Sequence, residues 1–293
     1  MQQNIPDFLE RLLKEQYGQD LTAKILEGYL SKRKTTLRVN TLKSNNEEVE
    51  NELKMNNIKF SNVTWYKQGI IIENAREDEI RKLKIYEEGK IYLQSLSSMI
   101  PAIVVNPKND ENILDMAAAP GGKTTQMAAI SNNGAMITAC EKNKIRADRL
   151  KYNLDKQGAR RVNVIQQDSR KLDDFLKFDK VLLDAPCSGS GTANIFEEKF
   201  TEELINRSTK IQEELLKKAI NLTKKGGEII YSTCSILAKE NENILEKIID
   251  KAEVQEIEKL EQIPTLPTKI KGTICVAPNE NYEGFFIAKL IKK

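Results

Sequence analysis

The chain has 293 residues, 40% of them hydrophobic and 30% charged, with a formal net charge of +3 and no histidine. That apolar content supports one large or two smaller cores, and so small a net charge does not by itself argue for a nucleic-acid partner. The missing histidine excludes Ser-His-Asp and Cys-His chemistry, so covalent catalysis would need a cysteine activated by a lysine, a carboxylate network or a helix N-terminus.

No apolar run approaches the roughly 18 residues of a membrane-spanning helix. The start, Met1 to Asp7, lacks a basic stretch followed by an apolar one, so no signal peptide and a cytoplasmic location are expected. The cysteines, at 140, 187, 234 and 275, form no CxxC pair. With no histidine to complete a mixed site, no structural metal is expected, and a cytosolic chain is not expected to form disulfides.

In chain order, Phe8, Leu9, Leu12 and Leu13, then Leu21, Ile25, Leu26 and Leu30, carry helical spacing. This predicts an N-terminal helical segment over residues 1–34. Leu37 to Leu42 alternates like a strand, residues 45–57 read as a helix capped by Ser44 or Asn45, and Phe60–Tyr66 and Ile70–Glu73 read as strands around Gly69. Residues 35–90 are therefore expected to form a small α+β module. Its basic cluster (Lys32, Arg33, Lys34, Arg38, Lys43) and the aromatics Trp65 and Tyr66 are candidate RNA contacts, against the plainer readings of a solvated face and a packed core aromatic.

From residue 91 to 293 strands alternate with helices. Apolar runs at 113–116, 135–140, 162–165, 180–184 and 228–231 are separated by helical stretches such as 144–157 and 201–223. This predicts an α/β domain with a mostly parallel sheet covered on both faces, closed at one edge by late strands at 273–276 and 284–290. Lys142 to Arg161 holds eight basic residues against Asp148 and Asp155, a candidate phosphate track.

After the first strand of this domain comes Ala117-Ala118-Ala119-Pro120-Gly121-Gly122-Lys123-Thr124. Small residues between a strand and a helix admit close approach of a ligand to the backbone. The loop is not a P-loop, because alanine stands at 117 where that motif needs glycine, and it is not GxGxxG. The second strand ends at Glu141, an acid suited to ribose hydroxyls, and the third at Asp168, which could accept from an adenine amine. Three such features at successive strand ends describe an adenosine ligand without a phosphate loop, as S-adenosylmethionine requires. Cys187, in Asp184-Ala185-Pro186-Cys187-Ser188-Gly189, and Cys234, in Tyr231-Ser232-Thr233-Cys234-Ser235, follow the fourth and fifth strands, at the crevice end of the sheet. Cys140 and Cys275 read as buried hydrophobes.

Residues 178–189, the loop 118–124, the 231–235 segment, Glu240-Asn241-Glu242 and the closing 283–290 segment together resemble the RNA cytosine-5 methyltransferases of the Nop/Sun class, a resemblance that runs from about Leu37 to the end. It implies a class I, Rossmann-like S-adenosylmethionine-dependent methyltransferase domain behind the small module. It further implies methylation of carbon 5 of cytosine in RNA, ribosomal RNA before transfer RNA, by a monomer with no membrane and no metal partner. By the same resemblance, Ala117, Ala118, Ala119, Pro120, Gly121, Gly122 and Lys123 would line the methionine part of the cofactor. Glu141 would hold the ribose, Asp168 would lie near the adenine, and Asp184 would face the reaction centre. Cys234 would be the nucleophile and Cys187 would aid release. Ala117 stands where family members often carry cysteine. Lys123 is the candidate cation for lowering the thiol pKa. By analogy with DNA cytosine methyltransferases, the Pro-Cys after a strand would instead favour Cys187 as the nucleophile.

Overall fold

The apolar spacing of the N-terminus folds as α1 (Asp7–Leu30) in the computed structural model, which describes residues 5–258, 260 and 262–293. The expectation for the start of the chain falls partly on residues 1–4, outside the described residues. α1 is interrupted at Gly18, which takes φ 75° and ψ 176°. On both sides of that break it buries Leu9, Leu13, Tyr17, Ile25 and Tyr29 in the same core as the large sheet. The N-terminal segment is therefore part of the large core.

The small module is an antiparallel sheet in the order β2-β3-β1-β4, built from β1 (Thr35–Val39), β2 (Phe60–Asn62), β3 (Gly69–Ile72) and β4 (Ile91–Leu93). Helix α2 (Asn46–Met55) starts where expected, because the Asn45 side chain accepts a hydrogen bond from the Glu48 amide. Two short helices, α3 (Glu77–Ile80) and α4 (Lys84–Glu87), lead into β4. β4 lies beyond residue 90 yet pairs with β1, Leu37 opposite Leu93, so this sheet runs to Leu93. Leu37, Val49, Leu53, Ile70, Ile72 and Ile80 form its own core.

The large domain opens with α5 (Leu96–Val105), then β5 (Asn112–Asp115), α6 (Gly122–Ile130), β6 (Met136–Cys140), α7 (Lys144–Gln157), β7 (Val162–Ile165), β8 (Phe178–Asp184), α8 (Glu202–Leu222) and β9 (Thr223–Thr233). The short α9 (Glu242–Leu245) and β10 (Ala252–Gln255), β11 (Thr265–Leu266), β12 (Ile274–Val276) and β13 (Phe285–Lys292) complete it. The sheet order is β11-β12-β13-β9-β8-β5-β6-β7, with β10 on β13. β7, β6, β5, β8 and β9 are mutually parallel, and β13 closes antiparallel on β9. The chain winds outward from β5 through β6 to β7, then returns to the other side of β5 as β8. That reversal opens a crevice beyond the carboxyl ends of β5 and β8, where doubly wound sheets bind ligands. Among the described residues no helix is long and apolar enough to cross a membrane.

Candidate active site

Two buried polar residues bring the cysteine loops together. Ser188, just after Cys187, donates its amide to Glu240 Oε1 at 2.8 Å and its hydroxyl to Glu240 Oε2 at 2.6 Å. Gln212 of α8 donates to the Pro186 carbonyl at 2.9 Å and to Glu240 Oε1 at 3.3 Å. On the Cys234 side, the Thr233 hydroxyl donates to Asn241 Oδ1 at 2.6 Å and Asn241 Nδ2 donates to the Ser235 carbonyl at 2.9 Å. Glu240 and Asn241 are both fully buried, so one dipeptide clamps both loops where water cannot compete. The loops also touch through the hydroxyls of Ser190 and Ser235, 2.7 Å apart. The Cys187 loop also packs so closely on the segment before β13 that a β-carbon at Gly191 would sit 2.0 Å from the Gly284 carbonyl oxygen. Helix α1 supports the same loops from behind. Tyr17 and Gln16 donate to the Ile236 carbonyl at 2.6 and 3.0 Å, and Tyr29 donates to that of Ser190.

The clamp leaves Cys187 Sγ and Cys234 Sγ 2.9 Å apart, both half-buried free thiols. The Cys187 thiol is pushed well above its ordinary range, first by its hydrogen bond with the Cys234 sulfur and then by burial. At neutral pH Cys187 therefore keeps its proton. Cys140 and Cys275 are buried in the core, as expected, and burial pushes both thiols up to about 12.

Lys123 and Asp184 form the other half of the site. Lys123 Nζ donates to Asp184 Oδ2 at 2.7 Å and to Ser98 Oγ of α5 at 2.8 Å. Ser232, two residues before Cys234, donates to Asp184 Oδ1 at 2.7 Å. Both carboxyl oxygens thus accept hydrogen bonds, which ties the end of β8 to the end of β9. The sequence reading gave Lys123 the task of lowering the thiol pKa. Its hydrogen-bond partners are Asp184 and Ser98, and neither sulfur is among them.

The loop from Ala117 to Gly122 runs under this pair. Gly121 takes φ 108° as the residue before α6, and a side chain there would be strained and press on Leu150. Asp115 at the end of β5 is fully buried and accepts from the Thr124 hydroxyl at 2.7 Å, but burial still pushes its carboxyl up to about 6. Glu141 is buried, accepts from the Asn143 amide at 2.8 Å and lies 3.4 Å from the Arg146 guanidinium, which also donates to the Ala119 carbonyl at 2.8 Å. Asp168 is gripped by Arg170, which holds its carboxyl down near about 2. A pocket lined by Met116, Ala117, Glu141, Asp168 and Pro186 joins the ends of β5, β6 and β7. Small loop residues beside two acids at successive strand ends fit an adenosine-type ligand. Among the described residues no cluster of acids and thiols could hold a metal ion.

For two features the geometry favours one of the alternatives the sequence left open. Trp65, half-buried, packs against the second large core cluster and donates its indole N–H to Tyr282 at 2.8 Å, in line with the packed-aromatic reading. The basic cluster before it is largely consumed internally. Arg33 donates to the carbonyls of Asn279 and Tyr282, Lys34 pairs with Glu73 and Glu280, and Arg38 is fully buried. Glu240 and Asn241 were visible only as part of a family-like segment. Their clamp joins positions up to 52 residues apart, which no local pattern reveals.

An α/β sheet of this winding, with a small-residue loop after its first parallel strand and acids after the next two, defines the class I methyltransferase fold. The description "16S rRNA methyltransferase RsmB/F" matches residues 102–291, and the description "RsmF/B-like, ferredoxin-like domain" matches residues 5–77. The chain belongs to this RsmB/F family. It is 37% identical over 215 residues to the tRNA (cytosine(72)-C(5))-methyltransferase of Pyrococcus horikoshii, covering 73% of this chain and 55% of that one. It is 34% identical over 245 residues to the ribosomal RNA small subunit methyltransferase F of Aeromonas salmonicida, covering 78% and 52%. The chain thus spans about half the length of these curated relatives. Among solved structures, a methyltransferase homolog protein from P. horikoshii matches with TM-score 0.84 and 30% identity over 98% of this chain and 100% of that one. The NSun6 of P. horikoshii, solved with SFG, matches with TM-score 0.88 and 26% identity over 98% of each chain.

Proposed function

We propose that the protein methylates carbon 5 of cytosine in RNA, using S-adenosylmethionine and a transient covalent bond from a cysteine to carbon 6 of the base. The observation that carries this reading is the pair of free thiols at adjacent strand ends, 2.9 Å apart, beside the Lys123–Asp184 ion pair.

Cytosine carbon 5 is a weak nucleophile until something adds at carbon 6. In this reading the Cys234 sulfur forms that bond, and the electron pair of the 5,6 double bond moves into the ring and makes carbon 5 nucleophilic. Asp184, held as an acceptor by Lys123 and Ser232, orients the ring through its exocyclic amine. Lys123 has one N–H left to stabilise charge that develops on the base. S-adenosylmethionine, when bound, supplies an electrophilic methyl group. The small side chains of Ala117 to Gly122 admit its methionine end, Glu141 takes the ribose hydroxyls, and Asp168 borders the adenine. Once carbon 5 is methylated, a water molecule takes its proton, the C–H electron pair re-forms the 5,6 double bond, and the carbon–sulfur bond breaks with its pair going to the Cys234 sulfur. We assign Cys187, protonated beside that sulfur, to donating a proton to the departing thiolate.

The relatives are named for both ribosomal and transfer RNA, and we infer that ribosomal RNA is the first substrate to test. The test incubates the protein with S-adenosylmethionine and unmodified RNA, with ribosomal and transfer fractions separate, and measures 5-methylcytosine by nucleoside mass spectrometry. A gain in one fraction supports the reaction and selects the RNA. No gain in either, with S-adenosylmethionine binding intact, refutes it.

A further inference from the structure

A cleft of about 490 Å³ does not stop at the reaction centre. It starts at Lys123 and Asp184, passes over the 117–122 loop, and opens between the small module and α7 among Arg81, Tyr86, Arg149 and Lys156. Lys156 Nζ lies 3.9 Å from the centre of the Tyr86 ring, and the Arg81 guanidinium lies 5.3 Å from the same ring. Two cations therefore converge on one aromatic ring. Among the described residues neither Lys156 nor Arg149 has an ion-pair partner, and Arg81 pairs only with Glu77. Burial and then Arg81 weaken the hold of Lys156 on its proton, against a smaller opposing effect of Glu87, with Lys43 adding least. Three cations at the mouth of a cleft, two of them outside any ion pair among the described residues, are poised for a polyanion.

The geometry points to a phosphodiester-binding subsite formed by Arg81, Arg149 and Lys156, which takes the RNA backbone next to the target nucleotide as the strand enters from the small module. This rests on RNA being the substrate. The cleft is continuous with Asp184, so a chain whose base reaches the reaction centre can carry its phosphates along this wall. Of the basic cluster Lys32, Arg33, Lys34, Arg38 and Lys43, Arg33, Lys34 and Arg38 are engaged internally.

The test uses the full chain with Arg81→Ala and Lys156→Ala combined. Binding of a short fluorescent single-stranded RNA is titrated over a range of KCl, and S-adenosylmethionine binding is measured by calorimetry. Each lost phosphate contact should flatten the slope of log affinity against log salt by about 0.7, so the double variant should lose about 1.4. RNA affinity should fall about tenfold at moderate salt, and Arg81→Lys with Lys156→Arg should recover it. S-adenosylmethionine affinity should not move. An unchanged slope while the wild type binds RNA overturns the subsite alone. A loss of S-adenosylmethionine affinity assigns the cleft to the cofactor and also overturns it. A wild type that binds no RNA removes the proposed function and this inference together.

Discussion

Replacing Glu240 by alanine tests whether the clamp under the two cysteines bears the weight the geometry gives it. The side chain has no solvent access and accepts from the Ser188 amide at 2.8 Å and the Ser188 hydroxyl at 2.6 Å. Its removal strands two buried donors, each costing about 1–3 kcal/mol, so the variant should lose about 2–6 kcal/mol of stability. Gln212 loses only its longer bond, because it keeps the Pro186 carbonyl. Against a total stability of about 5–15 kcal/mol, this is a large share. Glu240→Gln keeps one acceptor but turns an N–H toward a donor, and should lose about 1–3 kcal/mol. Urea unfolding followed by circular dichroism measures both. The milder variant stays folded, so its kinetics read the functional half of the argument. A shifted Ser188 moves Cys187 relative to Cys234 and should lower kcat with little change in KM for RNA. A Glu240→Ala midpoint equal to wild type would refute the clamp.

The division of labour between the cysteines predicts that Cys187→Ala accumulates a covalent protein–RNA adduct on denaturing gels and that Cys234→Ala forms none; the reverse pattern would make Cys187 the nucleophile. Gly191→Ala should cost about 1–3 kcal/mol and depress adduct formation, because its β-carbon meets the Gly284 carbonyl at 2.0 Å; wild-type melting and adduct yield would show that the loops give way freely. The Asp168–Arg170 pair depresses the Asp168 carboxyl from 3.8 to about 2, so its stabilisation is complete above 3.8 and disappears as the pH falls through about 2. The stability gap between wild type and Asp168→Asn should therefore close as the pH falls across that window, and a constant gap would contradict the pairing.

What the sequence made legible is what depends on neighbours in the chain. Helix α7 spans the residues its spacing predicts, and α8 begins one residue after its capping Thr201. The strand ends bearing Asp184, Cys187 and Cys234 were readable because each follows a short apolar run. Helix α5 was not seen, since Leu96-Ser97-Ser98-Met99-Ile100-Pro101-Ala102 carries a proline and little periodicity, and its burial against the large sheet overrides both. The basic cluster at 32–43 misled because charge runs read as surface. The partners that absorb it, Glu73, Asn279, Glu280 and Tyr282, lie up to about 250 residues away, at |i−j| of 249 for Arg33 and Tyr282.

Arg38 shows what such long-range burial does for the site. Its guanidinium is fully buried with no carboxylate partner and one nitrogen unbonded, and burial lowers its pKa to about 10. It reaches from β1 of the small module to the start of α6, donating to Thr125 Oγ1 at 2.6 Å and to the Gly122 carbonyl at 3.2 Å, while Gln94 accepts from Nε at 2.9 Å. Thr125 in turn donates to the Gly121 carbonyl at 2.7 Å. A buried charge without a counter-ion is a poor source of stability, and an apolar replacement of similar length is often neutral or stabilising. Arg38→Met removes that charge but leaves the buried Gln94 Oε1 without its donor, and should accordingly cost about 1–3 kcal/mol of unfolding stability. It also releases the turn that carries Gly121, Gly122 and Lys123, so S-adenosylmethionine affinity should fall several-fold while the protein stays folded at the assay temperature. Arg38→Lys, which restores charge but not the fork of donors, should not rescue it. A variant unfolded at the assay temperature would make Arg38 a stability element only, and one that binds the cofactor normally would show that the loop holds its shape without the small module.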